Sequence, residues 1–482
     1  MKRRWFAIWI VCALLFGASS TYVVMNVKEN KQHAEQVPST ENSAELPPNL
    51  KKVGQAFELI RDQYVEEVEE KQLIEGAIQG MLATLNDPYS VYMDADTANR
   101  FTESLESSFE GIGAEVGMQD GKMIIVSPFK NSPAEKAGLK PKDQILKVNG
   151  ESVEGLDLYE VTLKIRGKKG TKVTLEIARE GVAEPVKIEV VRDEIPIETV
   201  NASMKEDGGI PIGYIEVTSF SEHTAADFKK QLKDLESQQM KGLIIDVRGN
   251  PGGLLSSVED MLKELITDHK PFVQIEQRNG ETIQYYTTLK ERKPYPIVVL
   301  IDQGSASASE ILAGALHEAE GYPLIGERTF GKGTVQQAIP FSDGSNIKLT
   351  MFKWLTPDGN WIHKKGIEPT IEVRQPTFFY THPLNIETAL VKDMNSEQVK
   401  IAQIMLYGLG YGPGRLDGFF SEQTEKAVVA FQRQERLPLT GKIDSATAQK
   451  LEEKVMEAIQ DEKNDWQLQA ALKVIRNQLE KE

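Results

Sequence analysis

Two short apolar runs constrain this chain more than anything else in it: Gly242-Leu-Ile-Ile-Asp-Val247 and Ile297-Val-Val-Leu-Ile301. Neither alternates between apolar and polar residues. A strand with one wet face alternates, whereas a strand covered on both faces reads as a nearly unbroken apolar run. Stretches with helical spacing lie between and beside them, over residues 224–237, 254–266 and 309–318. Together with the strand pattern Gly213-Tyr-Ile-Glu-Val-Thr218, this order predicts an α/β core whose sheet has helices on its faces. The chain has 482 residues, enough for three or four domains.

Composition narrows the chemistry. The net charge of −16 argues against a nucleic-acid binder, whose footprint is a basic face. The single cysteine, Cys12, excludes a disulfide framework and a cysteine-based zinc site. The histidines at 33, 223, 269, 317, 363 and 382 never take the close helical spacing of a metalloprotease motif. No metal and no cofactor is expected.

Lys2-Arg-Arg4 precedes residues 5–25, which carry no charge, and Gly17-Ala-Ser-Ser20 follows within the run. Residues 1–27 read as a signal peptide or a membrane anchor, with the remaining chain outside the cytoplasm in both cases. Residues 28–48 form a polar linker. Residues 49–100 make a helical arm, with Val53, Phe57, Ile60, Ile74, Ala77, Met81 and Leu82 at helical spacing. Such an apolar stripe packs on its own domain or on a second copy.

The chemistry-bearing segments are Gly304-Ser-Ala-Ser-Ala-Ser-Glu310 and Phe330-Gly-Lys-Gly-Thr-Val-Gln336. A serine hydroxyl is a poor nucleophile until a base takes its proton, and a lysine can serve if burial lowers its pKa. Small neighbours let the serine approach a carbonyl, and glycines let the lysine backbone enter a crowded site. A Ser/Lys hydrolase follows. Gln336 lies an even spacing beyond Lys332, which on a strand puts both on one face. Flanking Phe330 and Val335 are expected to help keep the site dry. Two backbone amides must meet the oxyanion. Ala308 at the helix start is one candidate, and the Gly252-Gly253 turn supplies the other, Gly253 ahead of Gly252.

These segments resemble the signature of the C-terminal processing (tail-specific) proteases. Asp87-Pro-Tyr-Ser-Val-Tyr92, Asp246-Val-Arg-Gly-Asn-Pro-Gly-Gly253 and Gly366-Ile-Glu-Pro369 extend the resemblance over about residues 50–373. It implies that Ser307 is the nucleophile, Lys332 the general base and Gln336 the third member of the site. It also implies a crotonase-like Ser/Lys protease core over 193–375, a homodimer, and an exposed apolar C-terminal tail as substrate.

Residues 101–192 resemble a PDZ domain of bacterial periplasmic proteases: Gly111-Ile-Gly-Ala-Glu115, Ser132-Pro-Ala-Glu-Lys-Ala-Gly138, a strand closed by Asn149-Gly150, and a second helix over 156–165. Such modules take a peptide as an added strand and hold its carboxylate on backbone amides. The loop Gly111, Ile112, Gly113, Ala114 is the place for that, with Arg166 at the helix end as a sensor of the tail, a contact to the protease body, a surface ion pair or a C-cap. Residues 395–455 look like a three-helix peptidoglycan-binding module, with a weak internal repeat, serving to bind wall or to pack. Residues 456–482 form a charged helical tail.

Two other classes are weaker. Gly326-Glu-Arg-Thr-Phe-Gly-Lys332 has the glycine spacing of a phosphate loop, but Gly333 stands where Ser or Thr must hold magnesium. A non-catalytic scaffold of tail-binding and wall modules leaves the Ser/Lys/Gln set unexplained.

Overall fold

The computed structural model describes residues 49–482 except Asp120, Glu180, Gly181, Ala183 and Glu482. The expected export segment and polar linker lie outside the described residues. No described helix is long and apolar enough to cross a membrane. The chain divides into two units, residues 1–84 and 85–482. In the first, helices Leu50–Gln63 and Glu70–Ala83 contain no buried residue. Val53, Leu59, Ile60, Ile74 and Met81 are all exposed.

The second unit is built on a sheet ordered Val200–Asp207, Ile210–Val217, Gly242–Asp246, Ile297–Ile301, Leu324–Gly326 and Ile371–Glu372. All neighbours are parallel except the first hairpin pair. The apolar runs 242–247 and 297–301 are fully buried. Their residues divide by period two. Leu243, Ile245, Ile297, Val299 and Ile301 face a core shared with helices Thr224–Ser237, Leu255–Leu262 and Ala308–Glu320. Ile244, Val298 and Leu300 face the opposite way, onto Leu468, Ala471, Leu472 and Ile475.

That second cover is helix Trp466–Leu479. The expectation of a charged helical tail captured the helix but not its role. Its apolar side closes the sheet, and its first turn is tied down by Asp465 and Gln467, which both bond Arg248. Charge on the wet face hid an ordinary amphipathic stripe.

A second sheet centres on Asn346–Leu355, which pairs antiparallel with Val91–Met93, Val273–Glu276 and Thr334–Pro340. The PDZ domain enters on a two-stranded stem, Ser108–Gly111 with Asp193–Pro196. Its own sheet runs Ala114–Gln119, Lys122–Pro128, Gln144–Val148, Lys172–Ala178 and Val186–Val191. Asn149 and Gly150 both have positive φ (52° and 87°), the geometry of the tight hairpin their sequence called for.

The C-terminal module packs helices Glu397–Gly408, Glu422–Gln434 and Ser445–Gln460 around their own core. The weak repeat has a physical basis. Gln403 is fully buried, accepts from Gly418 N and donates to Thr424 Oγ1. Gln432 does the same with Gly441 and Thr447.

Candidate active site

Ser307 sits at the N-cap of Ala308–Glu320 with φ 55° and ψ −111°. A non-glycine residue at positive φ is uncommon, and such strain persists only where the surroundings fix it. Here they do. Asp302 accepts from the amides of Gly249, Gly304 and Ser305. The carbonyl of Asn250 accepts from Ala306 N and Ser309 Oγ. The Asn250 side chain accepts from Gly252 N and donates to the carbonyl of Val217. The serine loop and the glycine turn are therefore one assembly.

Lys332 enters from the other side, just before strand Thr334–Pro340. Its loop is gripped from both directions. Trp354 Nε1 donates to the carbonyl of Lys332, and Trp361 Nε1 to that of Gly333. The amides point to Glu310, a fully buried carboxylate. Its Oε1 accepts from Gly331 N (2.7 Å) and Thr329 Oγ1 (2.5 Å), and its Oε2 from Lys332 N (2.8 Å) and Ser307 N (2.9 Å). One carboxylate thus holds the backbones of the serine and the lysine at a fixed spacing. Gly331 has φ +90°, and a Cβ there would meet Gly366 N at 2.9 Å, so the approach needs glycine.

Ser307 and Lys332 line one cavity of about 550 Å³ with Gly252, Gly253, Ala308, Gln336, Phe101, Leu105 and Lys348. Among the described residues the two side chains share no hydrogen bond. The Lys332 ammonium stacks over Tyr89, 5.0 Å from the ring centroid. Asp87 sets that ring, accepting from Tyr89 N and Ser90 Oγ, while Ser90 accepts from Thr350 N. The Asp87-Pro-Tyr-Ser motif is therefore part of the lysine's support. Burial, and next the charge of Lys348, hold the Lys332 amine below the usual lysine range, against a smaller opposing pull from Glu310 and Asp87.

Gln336 lines the same cavity, but the even-spacing argument does not hold as stated. A β-bulge between Val335 and Gln336 breaks the register. The Gln336 amide donates to Thr334 Oγ1 and Thr350 Oγ1. Phe330 also departs from expectation: it is 57% exposed and lines a different pocket. The dryness comes instead from Phe220, Ile311, Val335 and Trp354.

Of the oxyanion candidates, Gly252 has its amide engaged by Asn250. The amides of Gly253 and Ala308 make no such bond among the described residues. Gly253 has φ +147°, and a Cβ there would lie 2.1 Å from the Phe220 carbonyl oxygen. Only glycine fits that turn.

In the PDZ domain, Gly111, Ile112, Gly113, Ala114 and Arg166 line one groove with Leu158, Thr162 and Ile165 of helix Leu158–Ile165. Arg166 pairs with Glu103 at 2.9 Å and lies 4.9 Å from the Phe109 ring centroid. Its Nε is buried without a partner. Glu103 belongs to helix Ala95–Leu105, whose Phe101 and Leu105 line the cavity that holds Ser307 and Lys332.

Sequence reasoning missed Glu310, named there only as the last residue of the serine segment. The signal was present: Ser307-x-x-Glu310 is a capping-box pattern, in which the fourth residue returns to the cap's amide. It also missed Asp246 and Arg248 as a bridge. Arg248 joins Asp246, at the end of a core strand, to Asp465 of the closing helix, and Tyr214 OH donates to Asp246.

Comparisons with known proteins agree with this architecture. Peptidase family S41 matches residues 211–373, a PDZ domain 111–190, a putative peptidoglycan binding domain 395–451, and the N-terminal domain of the activating protease CtpB 14–97. The chain belongs to peptidase family S41. It is 55% identical to the carboxy-terminal processing protease CtpB of Bacillus subtilis (strain 168), over 98% of this chain and 99% of that one. It is 42% identical to CtpA of the same organism, over 99% and 100%. A solved photosystem II D1 C-terminal processing protease is 26% identical and covers 68% of this chain and 93% of its own, with a TM-score of 0.41. The protein is a serine peptidase, a carboxy-terminal processing protease with a PDZ domain.

Proposed function

We propose that this is an exported endopeptidase with a Ser307/Lys332 dyad, which cuts proteins bearing exposed apolar C-terminal tails. The carrying observation is the strained Ser307 and the depressed Lys332 in one cavity, their backbones tied by Glu310. Neutral Lys332 takes the proton of Ser307, whose oxygen attacks the peptide carbonyl. The amides of Gly253 and Ala308 receive the oxyanion. The protonated lysine then gives its proton to the leaving amine. Water, deprotonated by the neutral amine, releases the acyl group. Gln336 supplies a neutral polar wall that adds no charge to raise the lysine's pKa.

The tail binds the PDZ groove as an added strand, with its carboxylate on the loop 111–114. Arg166 is the sensor. A tail carboxylate competes with Glu103 for it, and Glu103 stands on the helix that roofs the cavity. Tail binding would shift the roof by its differential affinity for the two states. The exposed apolar stripes of the arm suit pairing with a second copy, and the C-terminal module suits peptidoglycan. Residues 5–25 would place the enzyme at the outer face of the membrane.

The test is hydrolysis of an unfolded protein by the wild type, Ser307→Ala and Lys332→Ala. Both variants should lose activity while keeping the wild-type melting temperature. Equal rates in all three would remove the dyad. Arg166→Ala should flatten the dependence on tail sequence, and an unchanged dependence would remove the sensor.

A further inference from the structure

The cavity that holds Ser307 is lined by two lysines, Lys332 and Lys348, and by no carboxylate. The dyad accounts for Lys332. Lys348 lies in Asn346–Leu355, opposite Ala338 on one side and Val91 on the other. Thr350, two residues on and so on the same face, bonds Gln336 in the cavity wall. The pleat therefore aims Lys348 inward with Gln336 and Ala338, both of which line the cavity.

The Lys348 ammonium rests 4.7 Å from the centroid of the Phe101 ring, in the cavity roof. It forms no ion pair among the described residues. Lys353, on the same strand, is paired with Glu276 at 2.6 Å. The chain has 72 acidic and 56 basic residues, yet no carboxylate among the described residues pairs with Lys348 or lines its cavity. A partly buried cation against an aromatic face, without a counter-ion, is a site waiting for an anion. In a cleft that takes peptides, that anion is a carboxylate.

We infer that Lys348 is an anion subsite of the catalytic cavity, receiving a substrate carboxylate close to the bond that is cut. The inference rests on the placing of the reaction at Ser307. The carboxylate is the substrate's terminal α-carboxylate or an acidic side chain, and the two sources are separable. Lys348 is then a specificity-determining residue, distinct from the PDZ groove that also reads chain ends.

The experiment uses the full chain and three peptides of one sequence: a free acid with Gln near the cleavage point, its C-terminal amide, and the amide with that Gln replaced by Glu. Binding to Ser307→Ala and kcat/KM with active Ser307 are both measured. Charge-assisted contacts predict a roughly tenfold advantage for one anionic peptide over the neutral amide. A free-acid advantage that Lys348→Gln reduces identifies the chain end, and a Glu-peptide advantage that it reduces identifies a side chain. Lys348→Gln should lower that ratio roughly tenfold, to the value the PDZ groove alone gives, and Lys348→Arg should keep it. The PDZ domain contributes equally with and without Lys348, so the change in ratio isolates this residue. A ratio unchanged in Lys348→Gln, or no anionic advantage to begin with, overturns the inference. Binding in the Ser307→Ala background reads the subsite even if the dyad assignment fails.

Discussion

Replacing Glu310 by glutamine tests how the two halves of the site are held together. The carboxylate takes four donors, two on each oxygen, with no exposed surface. Glutamine keeps the volume but offers one acceptor oxygen and turns an NH2 toward N–H donors. Thr329 can rotate, but its oxygen already accepts from Ile367 N. In either orientation of the amide, one or two buried backbone N–H groups lose their partner, at about 1–3 kcal/mol each. With the charge assistance gone, the total is on the order of 3 kcal/mol, or roughly 6–12 °C in the melting of a domain this size. Catalysis should suffer separately, since a misplacement of about 1 Å costs around 100-fold. The assays are thermal unfolding and kcat/KM across pH. Glu310 is one of the charges that raise the Lys332 pKa, so its loss lets the amine shed its proton at lower pH. The acid limb of the profile should move down in pH while the plateau falls. Wild-type melting together with wild-type kcat/KM would refute the account, and a falling plateau with an unmoved limb would remove the electrostatic part.

The opposite sign is expected at Lys348: removing its charge in Lys348→Gln lifts a depressing influence on Lys332, so the acid limb should move up. Gly253→Ala drives a methyl into the Phe220 carbonyl at a positive φ and should cost about 1–3 kcal/mol in strain along with most activity; an active variant would argue against this turn as an oxyanion donor. Ile475→Ala, at a fully buried position, should destabilise the protease core by about 2–5 kcal/mol while leaving peptide binding by the PDZ groove intact, as urea unfolding and a titration would show.

Legibility followed the range of the interactions. Local rules reached the hairpin at Asn149-Gly150, the helix Thr224–Ser237 and the doubly covered strands, because period, turn chemistry and caps are set by neighbours along the chain. The two segments carrying Ser307 and Lys332 were legible for a similar reason: small residues and glycines crowd where backbone must come close. Gln336 lines the expected cavity, but even spacing is not the reason, because a bulge is decided by the partner strand, whose register no single segment records.

Sequence by itself determined which strands are buried on both faces and which segments bring Ser307 and Lys332 to one cavity. The tertiary structure alone decided that a charged C-terminal segment closes the sheet, that Glu310 spans serine and lysine, and that Lys348 faces the cavity without a carboxylate. Those outcomes depend on pairs from 22 to more than 200 residues apart, such as Glu310 with Lys332 and Arg248 with Asp465. Periodicity reports which side of an element is apolar, but only folding brings the partner that side will meet.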